Sequence, residues 1–99
     1  MPLNYDLLRL SAQRALLYNV PRSLRNLSMA VEDDALLLRA YMTHDPSGDE
    51  KDLLYEVSSE IAGDFVELLD SKSRTQFVVD NGPIDGLPTL RWVVFSLAE

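Results

Sequence analysis

The sequence predicts an α+β domain with the element order αββαββ, in which two helices pack on one face of a mainly antiparallel sheet. Three observations predict it: two segments repeat apolar residues at helical spacing, four segments have the alternation or composition of strands, and turn-forming residues separate them. The 99 residues, 46% hydrophobic and 25% charged, suit one folded domain over residues 1–99.

The first helix is predicted to start near Asn4, which can cap it, and to end before Pro21. Its polar side is narrow, and Leu3, Leu10 and Leu17 follow one edge of a wide apolar arc. An apolar edge left uncovered within the chain can pack against a second copy, so these leucines are candidate self-association residues. One reading of the sequence is therefore a homodimer or larger homo-oligomer with a structural or regulatory role.

The segments 24–31 and 35–43 alternate apolar and polar residues, which predicts two strands joined as a hairpin at Glu32-Asp33-Asp34. The core-facing residues of the second strand are then Leu36, Leu38, Ala40 and Met42. Arg39 and Tyr41 would lie on the outward face of the sheet. Because arginine and tyrosine are enriched at the energetic centres of interfaces, these two are candidate partner-binding residues.

The second helix is predicted to begin after Ser47, because Ser47 and Glu50 have the spacing of a capping box. The helical pattern continues to about residue 70. Its buried stripe is Leu54, Val57, Ile61, Phe65 and Leu68. Tyr55 lies at the edge of this apolar arc, and we expect it to be core or semi-core.

Two further strands are predicted at 75–79 and 90–97, and Trp92 in the last strand is also expected to be core or semi-core. We expect the first three strands to be antiparallel neighbours. The loop between the last two strands contains glycine and proline from Asn81 to Pro88. A small-ligand site beneath this loop is a further alternative, supported only by the length of the loop.

The second helix carries an acidic stripe, which we define as Asp52, Glu56, Glu60, Asp64 and Glu67. The first four recur every four residues and Glu67 follows Glu60 by seven, so all five share one face. Three successive like-charged pairs cost the helix on the order of 1 kcal/mol. The stripe is either a solvated face that keeps the domain soluble or a surface that docks a cationic protein. Its five residues are the principal candidate partner-binding residues.

The net charge of −7 argues against a nucleic-acid ligand, because a negative protein repels phosphate backbones. Cysteine is absent, which excludes disulfides and thiolate sites and fits a cytoplasmic location. No apolar stretch reaches the ~20 residues of a membrane span, and the first residues do not have the pattern of a targeting segment. We therefore expect a cytoplasmic protein that does not enter a membrane.

Catalytic and metal-binding patterns are also missing. His44 is the only imidazole and has no second histidine or cysteine with which to share a metal. The acidic run 45–52 does not have the spacing of a calcium loop, and Gly82 and Gly86 are too few for a phosphate cradle. We expect no enzymatic activity, no metal and no cofactor.

Four segments carry a family resemblance: SAQRALL (11–17), SLRNL (23–27), SSEIAGDF (58–65) and WVVF (92–95). With these segments the chain resembles immunity proteins of contact-dependent growth inhibition and related polymorphic toxin systems. The resemblance implies a cytoplasmic, non-catalytic bacterial inhibitor of a toxin domain, for example a nuclease, delivered by a neighbouring cell. The negative surface would then meet a groove built to hold phosphates. No binding residue is carried over from the family.

Overall fold

The computed structural model describes residues 4–17, 19–65, 68 and 72–97. Its elements follow the order αββαββ, which confirms the predicted fold class. The helices are α1 (Tyr5–Leu16) and α2 (Gly48–Gly63), and the strands are β1 (Leu24–Glu32), β2 (Ala35–Met42), β3 (Arg74–Val79) and β4 (Trp92–Ser96).

The β1–β2 hairpin turns at two aspartates. Asp33 and Asp34 have φ angles of 50° and 63°, in the left-handed region that both central residues of a type I′ turn require. Aspartate tolerates this conformation better than most residues, since its short side chain can bond locally to the backbone. The turn pairs Glu32 with Ala35, and the hairpin is confirmed although its turn has no glycine.

The four strands form one sheet in the order β3-β2-β1-β4. β1 is antiparallel to both β2 and β4, whereas β3 is parallel to β2. The prediction that the first three strands are antiparallel neighbours is therefore wrong for β3. The physical reason is the helix: α2 carries the chain back along the sheet, so the next strand enters in the direction of β2.

This strand order places β3 and β4 at opposite edges of the sheet. The connection between them, residues 80–91, contacts side chains of β1 and β2 that point away from the helices, and we call it the strap. The strap covers part of the sheet face opposite the helices.

The core lies between the two helices and the sheet. Leu8 and Ala12 of α1 are fully buried, and β1 contributes Leu27 and Met29. The residues predicted to face the core from β2 and α2 and found there with at most 1% exposure are Leu36, Leu38, Ala40, Met42, Leu54, Val57 and Ile61. Trp92 is partly buried against this cluster, as predicted.

The start of α2 is fixed by the predicted capping box. Ser47 Oγ accepts a hydrogen bond from the Glu50 backbone N–H at 3.2 Å, and Glu50 Oε1 accepts one from the Ser47 backbone N–H at 3.1 Å. The Ser23 hydroxyl, just before β1, donates to Glu50 Oε2. One carboxylate therefore joins the first turn of α2 to the sheet.

These hydrogen bonds make the free energy of unfolding depend on pH through the Glu50 carboxylate. The hydrogen bond from Ser23, and then that from the Ser47 backbone, lower the Glu50 pKa below its ordinary value of 4.5. A lowered folded-state pKa means that this stabilisation is present above pH 4.5 and is lost as the pH falls through the folded-state pKa. We expect Glu50→Gln to reduce the fall in the free energy of unfolding on acidification, measured by urea titration at a series of pH values.

A matched variant is Ser23→Ala, which keeps the Glu50 carboxylate and removes the hydroxyl that donates to it. It should also reduce the acid dependence, because this hydrogen bond is the largest cause of the lowered Glu50 pKa. If the acid dependence is unchanged in both variants, the Glu50 bonds are not its source.

Candidate partner-binding surface

Helix α2 presents the predicted acidic residues to solvent, and Asp52, Glu56, Glu60 and Asp64 are all exposed. Glu67 lies outside the described residues. The helical pattern was expected to continue to about residue 70, but α2 ends at Gly63, and Asp64 is its C-cap. Glycine favours this ending because it is a poor helix former. The helical part of the stripe is thus Asp52, Glu56 and Glu60, which we call the acidic face of α2.

The acidic face is not neutralised from within the part of the chain that the structure describes. The side-chain carboxylates of Asp52, Glu56 and Glu60 form no hydrogen bond or ion pair with another described residue. Lys51, the one basic residue of α2, turns towards β3, where its Nζ lies 5.9 Å from the centroid of the Phe77 ring. The face therefore keeps the repulsion between its own carboxylates and a field of one sign.

Asp64 differs from the other three carboxylates because it contacts α1. The hydroxyl of Ser11, which is only 2% exposed, donates to Asp64 Oδ2 at 2.6 Å. Glu60, Asp64 and Arg14 border a hollow of about 400 Å³ between the two helices. Among the described residues, Arg14 forms no ion pair with either acid. The hydrogen bond orients the Asp64 carboxylate, so its first role is to hold the end of α2 against α1.

Tyr55 is a surface residue, so the prediction that it is core or semi-core is wrong. Its side chain is 47% exposed and meets the Phe77 ring edge-on, at 5.7 Å between centroids. A shallow groove of about 450 Å³ is lined by Asp52, Tyr55, Glu56, Ser59 and Glu60. The sequence signal for this exposed position is the spacing from the acidic face. Tyr55 follows Asp52 by three residues, which places the two side chains next to each other on a helix.

Arg39 and Tyr41 lie on the sheet face opposite the helices, as predicted, but they bind the strap. Arg39 Nε donates to Gln76 Oε1 at 2.8 Å and Nη1 donates to the Pro88 carbonyl oxygen at 3.0 Å. The Tyr41 hydroxyl donates to the same carbonyl, and Tyr41 is only 4% exposed. Tyr41 therefore lies on the predicted face of the sheet but is shielded from solvent, because the strap covers it. Partner contact by either residue stays a prediction.

The candidate self-association edge of α1 is exposed where the structure describes it. Leu10 is 50% and Leu17 is 68% exposed, and Leu7 beside them is 53% exposed. Leu3 lies outside the described residues. Self-association through these leucines stays a prediction.

The described residues contain neither a cluster of metal-binding side chains nor a membrane-spanning helix. Within residues 4–17, 19–65, 68 and 72–97, no three His, Asp or Glu side chains converge so that they could hold a metal ion. No helix in the same ranges has the length and apolar character of a membrane span.

One comparison with known proteins gave a match. Residues 5–99 match the model of a protein family described as MafI2 immunity protein. A search of curated proteins gave no match.

Proposed function

The chain belongs to the MafI2 immunity protein family, and on that basis we propose that it is a non-catalytic inhibitor that binds a cationic, nuclease-like toxin domain through the acidic face of α2. This family is consistent with the predicted resemblance to immunity proteins of polymorphic toxin systems. The observation that carries the choice of surface is the one-signed acidic face, exposed and unpaired among the described residues.

A cationic partner would explain why α2 keeps like-charged carboxylates at a spacing that destabilises the helix. The pairs Asp52–Glu56 and Glu56–Glu60 each destabilise an exposed helix by a few tenths of a kcal/mol, and a stable surface helix would alternate acids with lysines. A partner with a positive groove removes this repulsion on binding. A nuclease has such a groove, since it must hold phosphates, and the acidic face would take the place of the nucleic acid there.

Tyr55 adds an anchor to this surface. A half-exposed tyrosine beside carboxylates can stack on an arginine of the partner while the acids pair with its guanidinium. Asp64, tied to Ser11, contributes charge at the end of the same surface. Arg39 and Tyr41 act on the opposite face of the sheet, where they hold the strap. In this proposal the chain works in the cytoplasm of the bacterium that makes it, against a toxin domain delivered by a neighbouring cell in contact.

The experiment that tests the proposal is binding of the purified chain to its purified toxin domain over a series of salt concentrations. Because the two surfaces carry opposite charge, we expect the association rate to fall by about tenfold or more from low to high salt, and toxin activity to fall as complex forms. A complex whose association rate does not depend on salt would contradict the acidic face as the docking surface. A chain that does not bind the toxin domain at all would refute the function.

A second candidate function is a homo-oligomeric module assembled through α1, favoured by the exposure of Leu7, Leu10 and Leu17. Light scattering at high micromolar concentration distinguishes the two classes. A strictly monomeric chain would exclude the second.

A further inference from the structure

The strap is a separate layer on the sheet, and it contributes nothing to the core. None of residues 80–91 is buried, and none belongs to the apolar cluster. Beneath it, Tyr41 and Ser28 are 4% and 0% exposed. Segments with few buried apolar contacts open at low free energy.

Hydrogen bonds to Arg25 of β1 and to Thr43 after β2 hold the start of the strap. The Arg25 guanidinium donates to the Asp80 carbonyl, and its Nη2 donates to the Gly82 carbonyl at 2.6 Å. Asn81 Nδ2 donates to the Thr43 carbonyl at 2.9 Å, just after β2. These bonds join the strap to the start of β1 and to the residue that follows β2.

The far end of the strap is held over β1 and β2 at two points. The Pro88 carbonyl oxygen accepts hydrogen bonds from both Arg39 and Tyr41. Ser28 Oγ accepts one from the Leu90 backbone N–H at 2.9 Å. We call the Pro88 carbonyl the latch, because the two donors of β2 meet at this single atom.

The strap is also longer than its crossing requires. The two edges of the sheet lie three strand spacings apart, about 14 Å, and β4 starts about four residues, roughly 13 Å, back along the sheet from the end of β3. The diagonal is about 20 Å, whereas twelve extended residues span about 40 Å. Part of the excess forms a turn at Ile84–Leu87, where Gly86 has a φ angle of 90° that favours glycine. The strap can therefore lift without pulling β3 or β4 out of the sheet.

One buried atom lowers the cost of lifting. Asn26 pairs with Tyr41 across the β1–β2 ladder, so it lies on the strap side of the sheet. It is 3% exposed, and its Oδ1 has no hydrogen-bond partner among the described residues. A desolvated acceptor without a partner destabilises the closed state, and water satisfies it once the face opens.

From these observations we infer that the strap is a latched cover that opens independently of global unfolding, with the bonds from Arg39 and Tyr41 to the Pro88 carbonyl as its latch. The open state uncovers a polar face of β1 and β2 that includes Asn26. It also frees Arg39 Nη1 and the Tyr41 hydroxyl, which are then able to contact a partner. The inference does not depend on the toxin-binding proposal, since it concerns the free chain.

Amide hydrogen exchange of the free chain, followed residue by residue by NMR, tests this. We expect the Leu90 amide to exchange faster than the β1 amides, such as that of Met29, which wait for global unfolding. Tyr41→Phe removes one latch bond and keeps the ring, so Leu90 exchange should rise about fivefold. The bond is also lost on global unfolding, so β1 exchange should rise by a similar factor and stay slower than that of Leu90. Tyr55→Phe is the matched control, because Tyr55 lies on α2 on the other side of the sheet, and it should leave Leu90 exchange unchanged.

Two results would overturn the inference. One is a Leu90 amide that exchanges as slowly as β1, which would show that the strap opens only when the whole domain unfolds. The other is a Tyr41→Phe variant in which Leu90 exchange is unchanged. In either case the Pro88 carbonyl is not a latch.

Discussion

Replacing Glu56 and Glu60 together by lysine slows association of the chain with its toxin domain by about tenfold or more at low salt. The two substitutions change the net charge from −7 to −3, since each adds two positive units. They also turn the centre of the acidic face from attractive to repulsive for a cationic partner. Both residues are exposed, so the fold should remain intact and the free energy of unfolding should change little. Stopped-flow association rates at low and high salt measure the effect.

A matched double variant separates the local charge from the net charge. Glu32→Lys with Asp45→Lys also brings the net charge to −3, but these exposed residues lie at the end of β1 and in the loop before α2. We expect this pair to slow association much less than the α2 pair. Equal slowing by both pairs would mean that the acidic face acts only through the net charge of the chain. An unchanged association rate in the α2 variant would refute the acidic face as the docking surface.

Leu8→Ala should lower the free energy of unfolding by about 2–5 kcal/mol. Leu8 is 0% exposed and inserts from α1 into the core between the helices and the sheet, so truncation leaves a cavity as well as losing buried apolar area. Urea denaturation followed by circular dichroism measures the change. A loss of this size removes a large part of the stability of a small domain.

Leu10→Ala is the control for Leu8, because it makes the same chemical change on the same helix at a side chain that is 50% exposed. It should cost less than about 1 kcal/mol. Similar losses at both positions would mean that α1 does not pack on the sheet through Leu8. If Leu10→Ala destabilises the chain only at high protein concentration, self-association through α1 is the explanation.

Several elements could be predicted because their signals are local. The capping box of α2 needs only Ser47 and Glu50 at the right spacing, and both of its bonds are present. The alternation in β2 assigns each residue to one face of the sheet, and the predicted core residues are buried. The spacing of Asp52, Glu56 and Glu60 likewise determines that they share a side of the helix.

The surroundings of these faces could not be predicted in the same way. Period-two alternation shows which side of a strand a residue occupies, but not what covers that side. Tyr41 has an outward position in the sequence pattern and yet lies beneath the strap. Tyr55 has a position at the edge of an apolar arc and yet lies half exposed, because β3 covers only one side of its ring.

The sequence by itself therefore determined the order of the elements, the core-facing side of β2 and α2, the negative charge of α2 and the resemblance to immunity proteins. These properties depend on neighbours within a few residues along the chain. Only the tertiary structure decided that β3 runs parallel to β2, that β4 pairs with β1 at the far edge, and that the strap must cross the sheet between them. Such contacts join residues tens of positions apart, where the entropy of loop closure and the packing of the whole core select one arrangement.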